Sequence, residues 1–202
     1  MHRPLALVAA LGAGLAASSH AVAEEAASID AVRAVFERTY PERCEQGIAG
    51  VLAEVEPEIH TVSYIPYEDA NVEFATVYGL ACFAGAYNVG SVWFVADRYG
   101  GISPVAFARP TFEFTFADEE ETVVASHEVT GMTADLMLIN ATYDPGSQTI
   151  VASGKWRGLG DASDIGFYAF VAGNFVLQRY MADPTYDGEI GPFVTLYSAS
   201  GG

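Results

Sequence analysis

Apolar residues near the start of the chain recur with the spacing of an amphipathic helix. The repeated positions are Ile29, Val32, Val35, Phe36 and Tyr40. Side chains three or four residues apart lie on the same face of a helix, so these residues would form one buried stripe. Ser28 is a favourable N-cap residue, and Pro41 discourages any continuation of the helix. The pattern predicts one helix over residues 28–40.

After this helix, apolar and polar residues alternate with the period of β-strands. The candidate strands cover residues 59–66, 73–83, 86–97, 105–117, 123–130, 136–143, 149–155, 165–171 and 174–181. They are rich in Val, Phe, Tyr, Ile and Thr, which fit a pleated surface, and the short connections between them favour antiparallel pairing. The sequence predicts a mainly β protein: one N-terminal helix followed by an antiparallel β-meander that closes as a sandwich or barrel-like sheet.

The first 23 residues have the pattern of a signal peptide. A short polar start precedes an apolar run from Pro4 to Ala17, and residues 21–23 place small side chains where a signal peptidase needs them. The run is too short to span a bilayer comfortably. We expect export to the periplasm or the exterior, removal of residues 1–23, no membrane span thereafter, and a single β-rich domain over residues 24–202.

Composition and charge exclude some classes of protein. Hydrophobic residues make up 51% of the 202 residues and charged residues 17%, so the chain can bury a core and is not disordered. The formal charge is -17, and Lys155 is the only lysine. Binding to nucleic acid or to anionic membranes takes clustered Lys and Arg, which this chain lacks. The charge favours cationic partners, although acidity also serves solubility in a salty exterior.

Cys44 and Cys82 are the only cysteines in the chain. Export would place them in an oxidising compartment, where thiols pair. The neighbouring Glu42 and Glu45 disfavour a thiolate at Cys44, so a catalytic cysteine is not expected. We predict a disulfide between the two, which would stabilise the fold by about 3–4 kcal/mol in the chain-entropy account.

The sequence lacks the motifs of the common catalytic mechanisms. It has no Gly-x-Ser-x-Gly elbow for a serine nucleophile. His60 and His127 fall in different predicted strands, and a zinc site needs three or four such ligands. Ser126 and Glu128 flank His127 in one strand, where consecutive side chains point to opposite faces. We predict no catalytic residue, no resident metal and no cofactor, with solvent-facing or hydrogen-bonded structural roles for the histidines.

The abundant acidic residues leave two alternatives open. A calcium-stabilised structural protein would need three or more acidic side chains that converge on one loop. The densest acidic run, at residues 118–121, lacks the spacing of a calcium loop and is better explained as a solvated hairpin tip. A secreted hydrolase that uses two carboxylates would need a fixed separation between them, which a sequence does not reveal.

One local cluster stands out as a candidate ligand-binding site, formed by Trp156, Arg157, Asp161 and Asp164. Together with Lys155, it combines an aromatic face, cations and carboxylates around a glycine-rich turn. The turn resembles the start of a phosphate-binding loop, but a β-rich segment follows it where a dinucleotide site needs a helix. We therefore interpret it as a turn with positive φ. The alternative is that the cations only offset Asp161 and Asp164.

Three segments carry a family resemblance. They read Cys-Phe-Ala-Gly-Ala-Tyr-Asn at residues 82–88, Leu-Ile-Asn-Ala-Thr-Tyr-Asp-Pro at residues 138–145, and Arg-Gly-Leu-Gly-Asp at residues 157–161 with Gly-Asn-Phe-Val-Leu at residues 173–177. In order and spacing they resemble the bacterial exported family DUF1176, a domain of unknown function, over about residues 82–188. The resemblance implies an exported β-rich domain and transfers no catalytic residue.

The same resemblance contains one departure from the family pattern. The family typically has a cysteine after the Gly-Asp pair and another shortly before a late glycine. This chain has Ala162 at the first position and Tyr186 nearest to the second. The resemblance therefore implies a lost disulfide, with residues 162 and 186 near each other.

These observations favour an exported, non-catalytic β-rich domain that binds a protein, a glycan or a cell-wall ligand in the periplasm. One version is an inhibitor of a basic cell-wall hydrolase, which charge alone favours. A looser version is an aromatic stacking surface drawn from Tyr64, Tyr67, Tyr87, Trp93, Tyr99 and Trp156, although most aromatic residues of such a domain fill its core. The calcium-stabilised protein and the carboxylate-dependent hydrolase are the alternatives.

Overall fold

The computed structural model describes residues 27–199, so the predicted signal peptide at residues 1–23 lies outside the described residues. The helices are α1 (Ile29–Thr39) and α2 (Glu45–Ile48). The strands are β1 (Glu58–Tyr64), β2 (Glu73–Ala84), β3 (Val89–Ala96), β4 (Ile102–Pro104), β5 (Phe107–Phe116), β6 (Val124–Asp135), β7 (Leu138–Ile139), β8 (Thr142–Asp144), β9 (Thr149–Lys155), β10 (Ser163–Val171), β11 (Asn174–Asp183) and β12 (Val194–Ser198).

Helix α1 forms where the apolar stripe predicts it. The Ser28 hydroxyl accepts a hydrogen bond from the Ala31 amide at 3.2 Å, which satisfies a free N–H group at the start of the helix. The helix ends before Tyr40, whose amide donates to the Phe36 carbonyl at 2.9 Å. Val32 and Phe36 are buried, so the predicted stripe is the packing face.

Helix α2 is tied to β2 by the predicted disulfide between Cys44 and Cys82, which is present. The sequence does not predict α2, because four residues carry no periodic signal. The helix approaches β2 so closely that a Cβ at Gly47 would lie 2.0 Å from the Ala81 carbonyl oxygen. Only glycine fits there. Across residues 27–199, neither helix is long and apolar enough to cross a membrane.

The strands form two five-stranded antiparallel sheets and a separate two-stranded hairpin. In the first sheet the order is β1-β2-β3-β4, and β7 also pairs with β3. In the second sheet the order is β12-β11-β10-β9-β8. This arrangement confirms the predicted mainly β, antiparallel class. The sheets are sandwich-like, and the described strands do not close into a barrel.

The central strands of the first sheet, β2 and β3, are buried on both faces, because the second sheet covers one face and α1 covers the other. Val77 and Trp93 face the second sheet, whereas their neighbours Tyr78 and Phe94 face α1. Strands covered on both sides therefore contain apolar runs rather than a simple alternation. Each such large side chain contributes about 1.5–3 kcal/mol when fully buried.

The structure corrects several predicted strand boundaries. The strand predicted at residues 136–143 is divided into β7 and β8, because Asn140 has a φ of 44° and interrupts the extended backbone. β3 begins later than predicted, since a turn closes where the Gly85 amide donates to the Asn88 carbonyl at 2.8 Å. β4 and β12 contain three and five residues, which is too short for a clear signal.

Strands β5 and β6 form a long hairpin, named here the β5–β6 arm (residues 107–135). β5 packs against the second sheet, and the Phe112 ring lies 6.4 Å from the Tyr180 ring, centroid to centroid. β6 is exposed at every position between its two ends. The arm is therefore held to the rest of the protein mainly through β5.

Candidate ligand-binding cleft

A cleft of about 170 Å³ opens beside the base of the β5–β6 arm. Its principal polar and aromatic side chains are Arg109, Asp135, Trp156, Asp164, Tyr168 and Tyr180. They come from β5, β6, β10, β11 and the turn after β9. Because a water molecule occupies about 30 Å³ of liquid, the cleft has room for several waters or for one ring-sized group.

Strand β10 supplies one wall of the cleft. Asp164, Gly166 and Tyr168 alternate along this strand and line the cleft together. A Cβ at Gly166 would lie 2.8 Å from the Tyr168 hydroxyl oxygen. Glycine inside a strand often marks such a close approach, and here it makes room for the tyrosine ring.

Arg109 connects the walls of the cleft. Its Nε donates to the Tyr180 hydroxyl at 2.8 Å, and its Nη2 donates to Asp164 Oδ2 at 3.1 Å. A third, longer bond of 3.5 Å joins Nη1 to Asp135 Oδ2. Burial disfavours the charge of Arg109, but Tyr180 and Asp164 outweigh this effect and raise the pKa of the guanidinium. Arg109 therefore stays charged in a partly buried position.

Tyr168 combines burial with an unused hydroxyl. Its side chain is 2% exposed, and its hydroxyl has no hydrogen-bond partner in residues 27–199. Within those residues, the Tyr40 hydroxyl is the one side-chain polar atom that is both inaccessible to solvent and without a partner. The Tyr168 hydroxyl also lacks a partner but is accessible, and it opens to the cleft. Burial raises the pKa of Tyr168, which keeps its O–H donor at neutral pH.

Other polar groups at the cleft also have unused bonding capacity. Asp164 Oδ2 accepts from Trp156 Nε1 at 2.9 Å as well as from Arg109, whereas Asp164 Oδ1 accepts nothing from the described residues. The ammonium group of Lys155 forms no ion pair within residues 27–199. The cleft therefore offers hydrogen-bond donors and acceptors together beside aromatic rings.

The four residues predicted to bind a ligand lie in two different places. Trp156 and Asp164 line the cleft and bond to each other. Arg157 and Asp161 instead form an ion pair, in which Arg157 Nε donates to Asp161 Oδ1 at 2.7 Å and Nη2 donates to Oδ2. This pair is named here the Arg157–Asp161 lock. Its geometry matches the alternative that the cation offsets an aspartate.

The Arg157–Asp161 lock joins the glycine-rich turn to a later segment. Asp161 is fully buried and also accepts from the Gly188 amide at 2.9 Å, while Arg157 donates to the Tyr186 carbonyl at 3.0 Å. The hydrogen bond from Arg157 holds the pKa of Asp161 well below its usual range. The lock thus connects the two segments that the implied lost disulfide would have joined.

Two asparagines hold the rim of the cleft. The Asn140 amide group donates to Asn88 Oδ1 at 2.8 Å and to the Ser153 carbonyl at 2.9 Å. Asn88 in turn donates to the Lys155 carbonyl at 2.8 Å. Asn88 and Asn140 fall in the first two segments that resemble the family, and they fix the end of β9 where Trp156 follows.

The glycine-rich turn has the conformation predicted for it. Gly160 has a φ of 80°, and its amide donates to the Arg157 carbonyl at 3.0 Å. Strand β10 follows the turn, so the helix that a dinucleotide site requires is not formed there.

The histidines lie away from the cleft. His60 Nε2 is 3.2 Å from Glu58 Oε2, and its ring stacks on Tyr143 at a centroid distance of 4.3 Å. His127 is exposed on β6. Both positions match the predicted structural or solvent-facing roles.

The acidic run at residues 118–121 forms the tip of the β5–β6 arm. The Asp118 carboxylate accepts from the Thr122 amide at 3.1 Å and from the Val123 amide at 2.8 Å, so it caps the turn. Within residues 27–199, no group of three or more His, Cys, Asp or Glu side chains is placed to hold a metal ion. The converging acids that the calcium alternative needs are not found in that part of the chain.

The aromatic residues considered as a stacking surface do not act together. Trp93 is fully buried between the sheets, and its Nε1 donates to Ser91 Oγ at 3.0 Å, which removes it from any surface. Tyr67, Tyr87 and Tyr99 are exposed but do not line the cleft. Of the six residues considered, Trp156 alone lines it.

The sequence does not point to Arg109, Tyr168 or Tyr180, because their contacts join distant strands. One signal was available in β5. Arg109 is the only charged residue in the first half of β5. It lies two positions from Phe107, so alternation places both side chains on the same face, which predicts that the arginine points inward. A cation placed there would need an acidic partner from another strand.

Comparison with known proteins places this architecture in a family. The profile of the family "Protein of unknown function (DUF1176)" matches residues 73–196. The "Uncharacterized protein YpfG" of Escherichia coli (strain K12) is 32% identical over 114 residues, a stretch that covers 56% of this chain and 28% of that protein. The matched stretch therefore spans little more than a quarter of the length of that relative. No solved structure matches. The match over most of the described residues shows that the chain belongs to the DUF1176 family.

Proposed function

We propose that this protein is an exported, non-catalytic module that binds one sugar ring of a glycan in its cleft. The observation that carries the proposal is the Tyr168 hydroxyl, which is buried, unpaired and open to the cleft beside Trp156. A sugar ring presents an apolar C–H face to an aromatic ring. Its hydroxyl groups both donate and accept hydrogen bonds, which the Arg109, Asp164 and Tyr168 groups can satisfy.

The charges at the cleft favour a neutral sugar. Arg109 and Lys155 are balanced by Asp135 and Asp164, all of which line the cleft. A strongly anionic ligand would meet the two aspartates, and a cationic one would meet Arg109 and Lys155. A neutral ring with hydroxyl groups avoids both repulsions and uses both kinds of hydrogen-bonding group.

The same bonds support binding rather than hydrolysis. Glycoside hydrolysis by two carboxyl groups needs one of them as a protonated acid. Asp164 accepts hydrogen bonds from Arg109 and Trp156, and Asp135 faces the same guanidinium. The Oδ2 atom of each carboxyl group is thus already engaged by an N–H donor of the protein. The pair therefore suits ligand positioning better than proton donation.

Export is part of the same proposal. The disulfide between Cys44 and Cys82 fits an oxidising compartment such as the periplasm or the exterior. The signal-peptide pattern of residues 1–23 supports the same compartment. Glycans and cell-wall polymers are accessible there.

Calorimetric titration of the oxidised protein tests the proposal. The ligands are short neutral oligomers of glucose and of N-acetylglucosamine, with a galacturonate oligomer as the charged comparison. We expect a neutral oligomer to bind and Trp156→Ala to weaken its binding at least about tenfold, because an aromatic stacking contact is lost. Tyr67→Ala is the matched control, since Tyr67 is 73% exposed and lies outside the cleft.

The proposal fails if neither neutral oligomer binds, or if Trp156→Ala and Tyr67→Ala weaken binding equally. A glycan that binds should also raise the free energy of unfolding, by about 2.7 kcal/mol at 100 times its Kd. Thermal unfolding in the presence of the oligomer therefore provides a second readout on the same samples.

A further inference from the structure

Strand β6 offers a long unpaired edge, and only its last residue, Asp135, lines the cleft. In residues 27–199 it pairs with β5 and with no second strand. Proteins usually protect such an edge with charged residues, above all Lys, with Pro, with β-bulges or with a covering element. The pairing of β6 with β5 is irregular at Ala125 and Thr130, so residues 126–129 form the regular stretch between these two points. The 12 residues of β6 contain neither Lys nor Pro, and every position between its ends is exposed. An edge of this kind can accept another extended strand through main-chain hydrogen bonds.

The pairing register divides the β5–β6 arm into an apolar and an acidic face. Residues directly opposite each other in an antiparallel pair lie on the same face. Phe112 lies opposite Val129 and Phe114 opposite His127, so that face is aromatic and mainly apolar, and Val129 is 37% exposed on it. Glu113 lies opposite Glu128 on the other face. Like charges directly opposite each other destabilise a sheet, and a cation placed between them would relieve the repulsion.

The acidic face has no internal counter-charge. Arg109 is the only Lys or Arg in the arm, and it is bonded in the cleft. Within the arm, the exposed glutamates that form no ion pair with any of residues 27–199 are Glu113, Glu119, Glu120, Glu121 and Glu128. The edge, the apolar face and the unneutralised acidic face therefore occur on one hairpin.

We propose that β6 is a docking edge for an extended segment of a basic partner protein in which basic and apolar residues alternate. The partner strand would pair with the free edge of β6. Its basic side chains would lie on the face of Glu113 and Glu128, and its apolar side chains would extend the face of Val129. A second copy of this chain is disfavoured as the occupant, because two chains of charge -17 repel each other.

A synthetic peptide of five Lys-Val repeats is the probe. It alternates cations and β-branched apolar residues, so it matches both faces at once. Binding is measured by fluorescence anisotropy with the oxidised protein. We expect the same peptide, N-methylated at alternate residues on its pairing edge, to bind at least about tenfold more weakly, because it cannot complete the strand hydrogen bonds. A ten-residue polylysine tests charge without the alternating apolar residues.

Two variants with the same change in charge locate the surface. The arm variant carries Glu113→Gln, Glu119→Gln, Glu120→Gln, Glu121→Gln and Glu128→Gln. The control variant carries Glu37→Gln, Glu42→Gln, Glu54→Gln, Glu56→Gln and Glu68→Gln, which are exposed positions outside the arm. We expect the arm variant to bind the Lys-Val peptide at least about tenfold more weakly than the control variant does.

The proposal is overturned if the Lys-Val peptide does not bind, if both variants lose affinity equally, or if the N-methylated peptide binds as tightly as the unmodified one. Equal losses would indicate general attraction to an acidic protein. Circular dichroism of both variants checks their folding. Because the arm glutamates do not line the cleft, glycan binding should be the same in the arm variant and the wild type, so the two proposals fail independently.

Discussion

Two arginine–aspartate pairs lie at the start of β10, and they differ in how fully their atoms are bonded. In the Arg157–Asp161 lock, both carboxylate oxygens accept hydrogen bonds, and Asp161 is fully buried. In the Arg109–Asp164 pair, Oδ2 accepts two bonds while Oδ1 accepts none from the described residues. The two aspartates are three positions apart in the sequence.

The difference separates a charge pair that is fully bonded within the protein from one that has unused hydrogen-bonding capacity. A carboxylate whose oxygens are all bonded within the protein has nothing left for a ligand and serves to join segments of the chain. In a partly bonded cluster, the internal hydrogen bonds fix the geometry, and the remaining donors and acceptors can bond to a ligand. The lock joins the turn to the Tyr186–Gly188 region, whereas the Arg109–Asp164 pair opens into the cleft beside Tyr168.

The largest expected effect is loss of stability when the lock is broken. Asp161→Ala removes the partner of Arg157 and leaves the Gly188 amide without its acceptor. We expect the Tm to fall by about 5 °C or more, with glycan affinity nearly unchanged in the folded protein. Differential scanning calorimetry and titration on the same variant check both parts. An unchanged Tm would contradict the structural role of the lock.

Breaking the Arg109–Asp164 pair should weaken glycan binding strongly and lower the Tm less than breaking the lock does. Asp164→Ala removes the bond that orients Trp156 and the acceptor of Arg109 Nη2. We expect glycan affinity to fall at least about tenfold, because the stacking and hydrogen-bonding groups both lose their positions. The change in the Tm should be smaller than that of Asp161→Ala, since Arg109 keeps Tyr180 and Asp135 as partners. If Asp164→Ala lowered the Tm more than Asp161→Ala does, the assignment of the structural role to the lock would be contradicted.

The hydrogen bond between Asn88 and Asn140 at the rim sharpens the comparison, because Asn140 supports the cleft without lining it. Asn140→Gly keeps the backbone at its positive φ and removes the side-chain bonds, whereas Asn140→Ala also strains the backbone. We expect Asn140→Gly to lower the free energy of unfolding by about 1–2 kcal/mol and Asn140→Ala to lower it further. Urea unfolding measures both. Equal losses would show that backbone strain at residue 140 is unimportant.

Lowering the pH should weaken the Arg157–Asp161 lock and lower the Tm, with a smaller effect than the substitutions above. Arg157 lowers the pKa of Asp161 in the folded protein below the value of about 4 that aspartate has in an unfolded chain. The stabilisation is therefore fully present above about pH 4 and is lost as the pH falls further. The Tm of the wild type should decline more steeply below pH 4 than that of Asp161→Asn. Parallel declines in the two proteins would show that Asp161 does not contribute to acid sensitivity.

The sequence predicts those parts of the molecule that depend on local pattern. Helix α1 follows from a stripe of apolar residues with a serine cap, and most strands follow from alternation. The disulfide follows from the only two cysteines together with an expected oxidising compartment. The short strands β4 and β12 carry too few residues for a periodic signal, and Asn140 divides one predicted strand through a single backbone angle.

The cleft is less predictable because its contacts join distant residues. Trp156 and Asp164 are close in sequence, so a local cluster suggests them. Arg109 reaches Asp164 across 55 positions and Tyr180 across 71 positions. Such contacts depend on the order of strands in the sheet and on the placement of the β5–β6 arm, neither of which follows from alternation. For the same reason, the sequence cannot separate Arg157 and Asp161 from the residues that line the cleft.

Two tyrosines with unpaired hydroxyls provide the most direct test of the cleft. Tyr168 is open to the cleft, whereas the Tyr40 hydroxyl is sealed in the core beneath α1. Phenylalanine removes only the hydroxyl in each case, so Tyr168→Phe and Tyr40→Phe are matched variants. We would measure the Kd of both for the neutral oligomer that the wild type binds. The account predicts about fivefold weaker binding for Tyr168→Phe, the loss of one hydrogen bond, and no change for Tyr40→Phe. Unchanged affinity in Tyr168→Phe, or an equal loss in both variants, would contradict it.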